Sequence, residues 1–427
     1  MVFPSVEALL VSGGDERIAL DPVTGLNQYG CPSHPDPDLL AFGSSTASVI
    51  SKSSFAAVCA LRERLQEALK SESAEVVYAR EMARVRRELL SDVADLGVSL
   101  LFASSGTDAH ALAARRTCCD RVVMVEATET GSGVVVALGV PVDTVKLRAE
   151  NGMPRALAEI DAEVIELIEQ AIAAGQRVLL VMADQSKTGM LAPSFDCVTK
   201  LQGMAQVLVD ACQFRLAPAT LRVYLAQGFM VALTGSKFLT GPAFSAALLL
   251  PFAEPIQQSA VNFGLLLRWE AALVELRRFR AVPESKIIHI FQLFADSIRH
   301  RLMNDPHFGY LPVPQRLVLS GEHHWDQYQS VFSFVPYSRN TEGGYAPLTC
   351  SQTRQLYLQL QSNSATVRCQ LGQPVSCGMR DGVAVSALRL CLSARLVSDA
   401  AEGAGVSGVI EDANRALDGL ISLLDRV

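Results

Sequence analysis

Residues 207–251 read VLVDACQFRLAPATLRVYLAQGFMVALTGSKFLTGPAFSAALLLP, and this stretch constrains the fold more than any other. QVLVDAC is a short apolar run carrying Asp210, Ala217 to Gln227 has helical spacing, and FMVALTGS is a second apolar run leading into Lys237. A strand, a helix and a strand in that order are usually joined as two parallel strands, and ligands of such sheets bind beyond the strand carboxyl ends. Asp210 and Lys237 therefore fall on one rim.

A carboxylate and an amine on one rim suit pyridoxal phosphate. The amine forms a Schiff base with the cofactor aldehyde, and the carboxylate keeps the pyridine nitrogen protonated so that the ring accepts electrons. The competing reading makes Lys237 a solvated loop lysine and Asp210 a helix cap. Lys187, in the turn DQSKTG after the apolar run RVLLVMA, is a rival for the amine role, but the surroundings of Lys237 favour it.

The 427 residues, 49% of them hydrophobic, suffice for a large core and more than one domain. A net charge of -7 gives no electrostatic support for nucleic-acid binding. The ten cysteines include no CxxC pair, which suggests reduced thiols and a cytoplasmic enzyme. The start MVFPSVEALL has no basic region before its apolar run, and no apolar segment is long enough to span a bilayer, so no membrane association is expected.

Residues 1–50 are rich in turn formers and suggest an irregular arm, in which Arg17, Asn27, Tyr29 and His34 are either solvated or part of a substrate-gating segment. Arg17 and Tyr29 are taken forward as substrate-binding candidates. GSSTASVIS, from Gly43 to Ser51, is a weaker candidate for a pocket wall. In VSLLFASSGTDAHALAARR a strand stops at Ser104, a small turn follows, and a helix resumes at Asp108. Such a turn exposes unpaired amides at the positive end of a helix, so Ser105, Gly106 and Thr107 form a candidate phosphate cradle. In EATETGSG, Gly131 and Gly133 match a GxGxxG pattern but Val136 stands in place of the third glycine, which excludes a dinucleotide fingerprint. Glu129 and Thr130 read instead as residues facing a cofactor ring, or as a polar loop tip.

VDACQ (Val209–Gln213), TGSK (Thr234–Lys237) and SSGTDA (Ser104–Ala109) together resemble class V aminotransferases and cysteine desulfurases, within the fold-type I pyridoxal phosphate superfamily. The resemblance implies an α/β fold: a large domain with a mostly parallel seven-stranded sheet, a smaller C-terminal α/β domain, and a homodimer. The corresponding divisions are an arm over 1–50, a cofactor domain over 51–265 and a small domain over 266–427. It also implies that Lys237 is the Schiff-base lysine and that Asp210 partners the pyridine nitrogen. Gln213 would bond the phenolic oxygen, and Ser105, Gly106, Thr107, Thr234 and Ser236 the phosphate. Arg389 in SALRLCLSARL would bind the substrate carboxylate, with Arg395 as runner-up.

Three features depart from the family pattern. Its ring-stacking histidine has no counterpart in EATETG, and Ser236 replaces the histidine that commonly precedes the lysine in desulfurases. No small-residue loop carries a mobile cysteine, which disfavours desulfuration, with Cys377 the remaining candidate. His323 and His324 lack further ligands at metal spacing and read as a loop pair. Transamination of an amino acid is the first reading. A lyase or a decarboxylase uses the same visible residues, and a catalytically silent binding protein is the reading from another class.

Overall fold

The computed structural model describes residues 3–131, 133–255, 260–341, 343–362 and 365–425. Its largest sheet is built from β1 (Ser99–Ala103), β2 (Arg121–Val125), β3 (Val142–Val145), β4 (Val178–Ala183), β5 (Gln206–Ala211), β6 (Met230–Thr234) and β7 (Ala246–Leu250). These seven strands lie in the order β1-β7-β6-β5-β4-β2-β3. Only β7 runs antiparallel to its neighbours β1 and β6. The mostly parallel seven-stranded sheet implied by the motifs is therefore present.

Both faces of the sheet are covered, which explains why its strands are apolar throughout. All six residues of β4 are buried. In β5, Val207, Val209 and Ala211 enter one core cluster while Leu208 enters the other, with Cys212 just beyond the strand. Strand alternation puts Asp210 on the Leu208 face. That face is packed by α1 (Gly106–Thr117), which contributes Ala109, Ala113 and Ala114 to the same cluster. The helix α2 (Pro218–Ala226) makes the crossover from β5 to β6 and starts with proline in its first turn, where a missing amide costs no hydrogen bond.

Charged and apolar residues alternate at helical period from Gln257 to Asn304, which reads as mostly long helix in the sequence; the structure has two helices there, α3 (Phe263–Arg280) and α4 (Glu284–Asn304), and Gln257 itself lies outside the described residues. Pro283 caps α4, where the ring would break a continuous helix. A second, antiparallel sheet follows: β8 (Phe308–Leu311), β9 (Val331–Arg339), β10 (Tyr345–Pro347), β11 (Gly372–Arg380) and β12 (Val383–Cys391). Helix α5 (Cys350–Gln361) packs on β11 and β12, and α6 (Gly405–Leu424) packs on α4 and α5. The arm joins this part of the chain through Leu40–Ala41, which pairs with Cys369–Gln370. No helix among the described residues is long and apolar enough to cross a membrane.

Helix α3 is buried on nearly every side and runs beneath the turn that holds Lys237. Buried Arg268 donates to the Phe244, Leu10 and Ser12 carbonyls, tying the segment after Lys237 to the arm. A Cβ on Gly235 would stand 2.6 Å from Ala272 Cβ, so glycine is needed two residues before Lys237. Overpacking of this kind costs about 1–3 kcal/mol. Gly235→Ala is expected to lower unfolding stability in urea by about that amount. Adding Ala272→Gly should restore part of it, whereas Ala272→Gly alone should only destabilise.

Candidate active site

Asp210, the last residue but one of β5, faces the first turns of α1, and His110 meets it there. His110 Nε2 stands 3.2 Å from Asp210 Oδ2, an ion-pair contact in which the nitrogen makes no aligned hydrogen bond. The other ring nitrogen, Nδ1, lies 2.7 Å from the Gly106 carbonyl oxygen. Burial works against charge on Asp210, but His110 and then Lys237 outweigh it and hold the carboxyl well below the usual range. Burial likewise opposes charge on His110, and the facing carboxylate outweighs it, raising the ring's pKa. Cys212 completes a cluster whose ligand atoms lie within 4.8 Å of one another. Burial and then the Asp210 charge push its thiol well up.

A cavity of about 240 Å³ opens above this pair. Thirteen of the residues singled out in the sequence line it: Lys237, Asp210, Gln213, Ser105, Gly106, Thr107, Thr234, Ser236, Glu129, Thr130, Arg389, Arg17 and Tyr29, whereas Asn27 and His34 of the arm do not. The side-chain amine of Lys237 makes no hydrogen bond or ion pair among the described residues, so it is available to a ligand.

The cradle differs in detail from its expected form. The Ser105 hydroxyl donates to Asp108 Oδ2 at 2.9 Å and accepts from the Asp108 amide, closing a capping box. The Ser105 amide also donates to Asp108, and the Thr234 hydroxyl donates to the Cys212 carbonyl at 2.7 Å. Those two side chains are already engaged. The Gly106 and Thr107 amides, at the first two positions of α1, and the Thr107 and Ser236 hydroxyls remain as anion donors, with the helix dipole behind them.

Glu129 was expected to face a ring, but its carboxylate turns into the protein. It is buried and accepts from Arg148 Nε at 3.0 Å, Ser186 Oγ at 2.6 Å and the Thr188 amide at 3.2 Å. This network clamps the turn after β2 to the turn after β4. Thr130 bonds the Glu126 carbonyl and is buried beside it. Gln213 donates to the Ser45 carbonyl at 3.1 Å, which brings the GSSTASVIS segment into the wall.

Arg389 and Arg395 separate clearly. Arg395 bonds the Val49 carbonyl and does not line the cavity. Arg389 lines it, with 1% exposure, and donates to the Lys187 carbonyl, Thr46 Oγ1 and the Gln373 carbonyl. Its Nε is buried without a partner, as is the hydroxyl of neighbouring Ser45. Gly372 opposite Arg389 is required, since a Cβ would lie 2.8 Å from Nε. Lys187 also lines the cavity, its Nζ 3.1 Å from the Ala127 carbonyl oxygen. Arg17 is forked by Asp15 and lies over the Phe244 ring, 4.8 Å from its centroid. Tyr29 is held beside it, and burial raises its phenol pKa. Cys377 is packed with Leu311, Val335 and Val385, away from the cavity, and burial pushes its thiol up. His323 and His324 bond Gln327 and Glu284 instead of sharing a ligand.

His110, Arg148 and Gln373 were missed in the sequence. His110 had the only usable signal, a polar residue four positions after Gly106 in an alanine-rich helix facing β5. Arg148 and Gln373 carry none, because their partners are distant in the chain.

No family model and no curated protein matches this chain. Solved structures do. A NifS-like protein from Rickettsia africae ESF-5 aligns with 89% of this chain and 99% of its own at 12% identity and a TM-score of 0.55. Mouse CSAD in apo form aligns over 93% and 85% at 14% identity and 0.55. Oryza sativa TDC, solved with PLP and tryptamine, aligns over 91% and 84% at 13% identity and 0.54. These likenesses establish the fold, and it is the fold-type I architecture that the motifs resemble.

The Asp210–His110 pair has a defined pH signature. The depressed Asp210 contributes stability above the unfolded carboxyl value of about 3.9, lost as pH falls through its folded value. The raised His110 contributes below about 6.5, lost as pH rises through its folded value. His110→Gln should therefore lower urea stability most between about pH 4 and 6.5, by about 3 kcal/mol. The loss should shrink on either side of that window. A loss independent of pH would show that the pair is not charged.

Proposed function

We propose that this protein is a pyridoxal phosphate-dependent enzyme acting on an amino acid, with transamination as its reaction. The observation that carries the reading is one cavity in which a free amine, a carboxylate held ionised, helix-terminal amides and a buried arginine without a carboxylate partner converge. The donor set fits the cofactor. Lys237 would attach to its aldehyde, Asp210 would face the pyridine nitrogen and Gln213 the phenolic oxygen. The Gly106 and Thr107 amides with the Thr107 and Ser236 hydroxyls would hold the phosphate, while Ser105 and Thr234 shape the cradle from behind. When bound, pyridoxal phosphate supplies an electron sink that acidifies the bonds of a substrate α-carbon.

The rest falls to the side chains. Arg389 binds the α-carboxylate as a fork, its unpartnered Nε among the available donors. Lys237 Nζ would serve as the base that takes the proton from the substrate α-carbon and holds it for return. His110 keeps Asp210 charged, and a charged Asp210 would hold a proton on the pyridine nitrogen it faces. The carboxylate held by Arg389 is stabilised as an anion, which favours breaking the bond to hydrogen over loss of carbon dioxide. That argument places transamination ahead of decarboxylation; elimination shares the same first proton removal, and transamination is put ahead of it because it needs only the return of the proton. A homodimer, with Arg17 and Tyr29 of the arm at the cavity mouth contributing to substrate binding, belongs to the same proposal, as does the division into an arm over 1–50, a cofactor domain over 51–265 and a small domain over 266–427.

Purified protein given pyridoxal phosphate should gain a visible absorption band, and borohydride should fix the cofactor to the peptide containing Lys237. Lys237→Ala should yield no fixed peptide and lose amino-group transfer to a keto acid by at least about a thousandfold. A protein that stays colourless would overturn the reading. Release of ammonia or carbon dioxide in place of keto-acid product would overturn transamination alone.

A further inference from the structure

The charges around the cavity do not balance without a ligand. Its two carboxylates are both engaged, Asp210 by His110 and Glu129 by Arg148, and Arg17 is forked by Asp15. Lys187, Lys237 and Arg389 also line the cavity, and none of them has a carboxylate partner in an ion pair among the described residues. On the function proposed above, Lys237 takes the cofactor and Arg389 the substrate α-carboxylate, while the phosphate is met by amides and hydroxyls at a helix terminus. One cation, Lys187, is then left without an anion.

Lys187 is held in the cavity wall next to Arg389. Its amide donates to the Glu129 carbonyl at 2.8 Å, and its carbonyl accepts from Arg389 Nη1 at 3.2 Å. The lysine backbone is thereby fixed to the guanidinium that binds the first anion. Its Nζ uses one donor on the Ala127 carbonyl, leaving two of an ammonium's three for a ligand. The residue sits in a turn whose neighbours Ser186 and Thr188 are clamped by Glu129, so the amine is presented from a rigid base.

We infer that Lys187 recognises a second anionic group on the substrate, and that the substrate is an amino acid whose side chain ends in a carboxylate or a comparable oxyanion. This rests on the amino-acid reading of the site and narrows it. Burial, then the charges of Arg389 and Lys237, push Lys187 down to about 8. An anion arriving between the cations relieves that repulsion, and a charge-assisted hydrogen bond forms in a site shielded from water. A neutral side chain would leave the ammonium half-buried and uncompensated.

The test compares two unreactive acids of equal chain length, succinate and butyrate, binding to cofactor-loaded protein by calorimetry. Wild type should bind succinate at least about tenfold more tightly than butyrate. Lys187→Gln should lose about tenfold for succinate and change butyrate by less than about twofold, while Lys187→Arg should keep the preference. A wild-type ratio near one overturns the inference without any variant. So does a Lys187→Gln protein that keeps the ratio or weakens both acids equally, which is the result if Lys187 only braces the turn or carries protons. If butyrate binds and Arg389→Gln abolishes that binding, the amino-acid site stands whatever the ratio. Protein that takes up no cofactor and binds neither acid overturns both readings.

Discussion

A carboxylate at the carboxyl end of a covered parallel strand is unfavourable unless an opposite charge meets it. In this chain the partner is His110, and the strand and the helix that carry the two groups are fixed by the same packing. Strand alternation puts Leu208 and Asp210 on one face, and that face is filled by the alanines of α1, whose first turn also offers the anion-binding amides. A shift of β5 by one residue would turn Asp210 away from His110 and expose an apolar side chain in its place. Charge pair, cradle and core are therefore set together.

The other walls come from segments far apart in the chain, brought close by small residues. Gly235 lets the Lys237 turn settle on Ala272 of α3, and Gly372 leaves room for Arg389 beside Ser45. Arg389 then ties three segments to one another, through Thr46, Lys187 and Gln373. The network of Glu129, Arg148, Ser186 and Thr188 stiffens the side of the cavity next to Lys187. The site is thus rigid in its charged parts, as preorganised electrostatics requires.

Much of this was legible in the sequence, because parallel strands deliver their last residues to one edge. Asp210, Lys237 and the Gly106–Thr107 turn could be placed on the rim from apolar runs alone. What the local pattern could not show is where a side chain spends its hydrogen bonds. Ser105 reads as a phosphate donor until Asp108, three residues on, closes a capping box with it. Glu129 reads as a cavity residue until Arg148 captures it, and nothing in the spacing of the two announces that contact. Arg389 ranks ahead of Arg395 by resemblance alone, and what puts it at the cavity is the pairing of β12 with β9 and β11. The break between α3 and α4 did have a signal, Pro283, which a long run of helical spacing overrode.

On the proposed function, the Asp210–His110 pair keeps a cofactor ring nitrogen protonated. The most direct measurement is the nitrogen-15 chemical shift of pyridoxal phosphate labelled at the ring nitrogen and bound to the protein. A shift characteristic of a protonated pyridine at neutral pH, moving to the unprotonated value in Asp210→Asn, is the predicted result. An unprotonated ring in the wild-type protein, or a signal identical to that of free cofactor, would contradict the account.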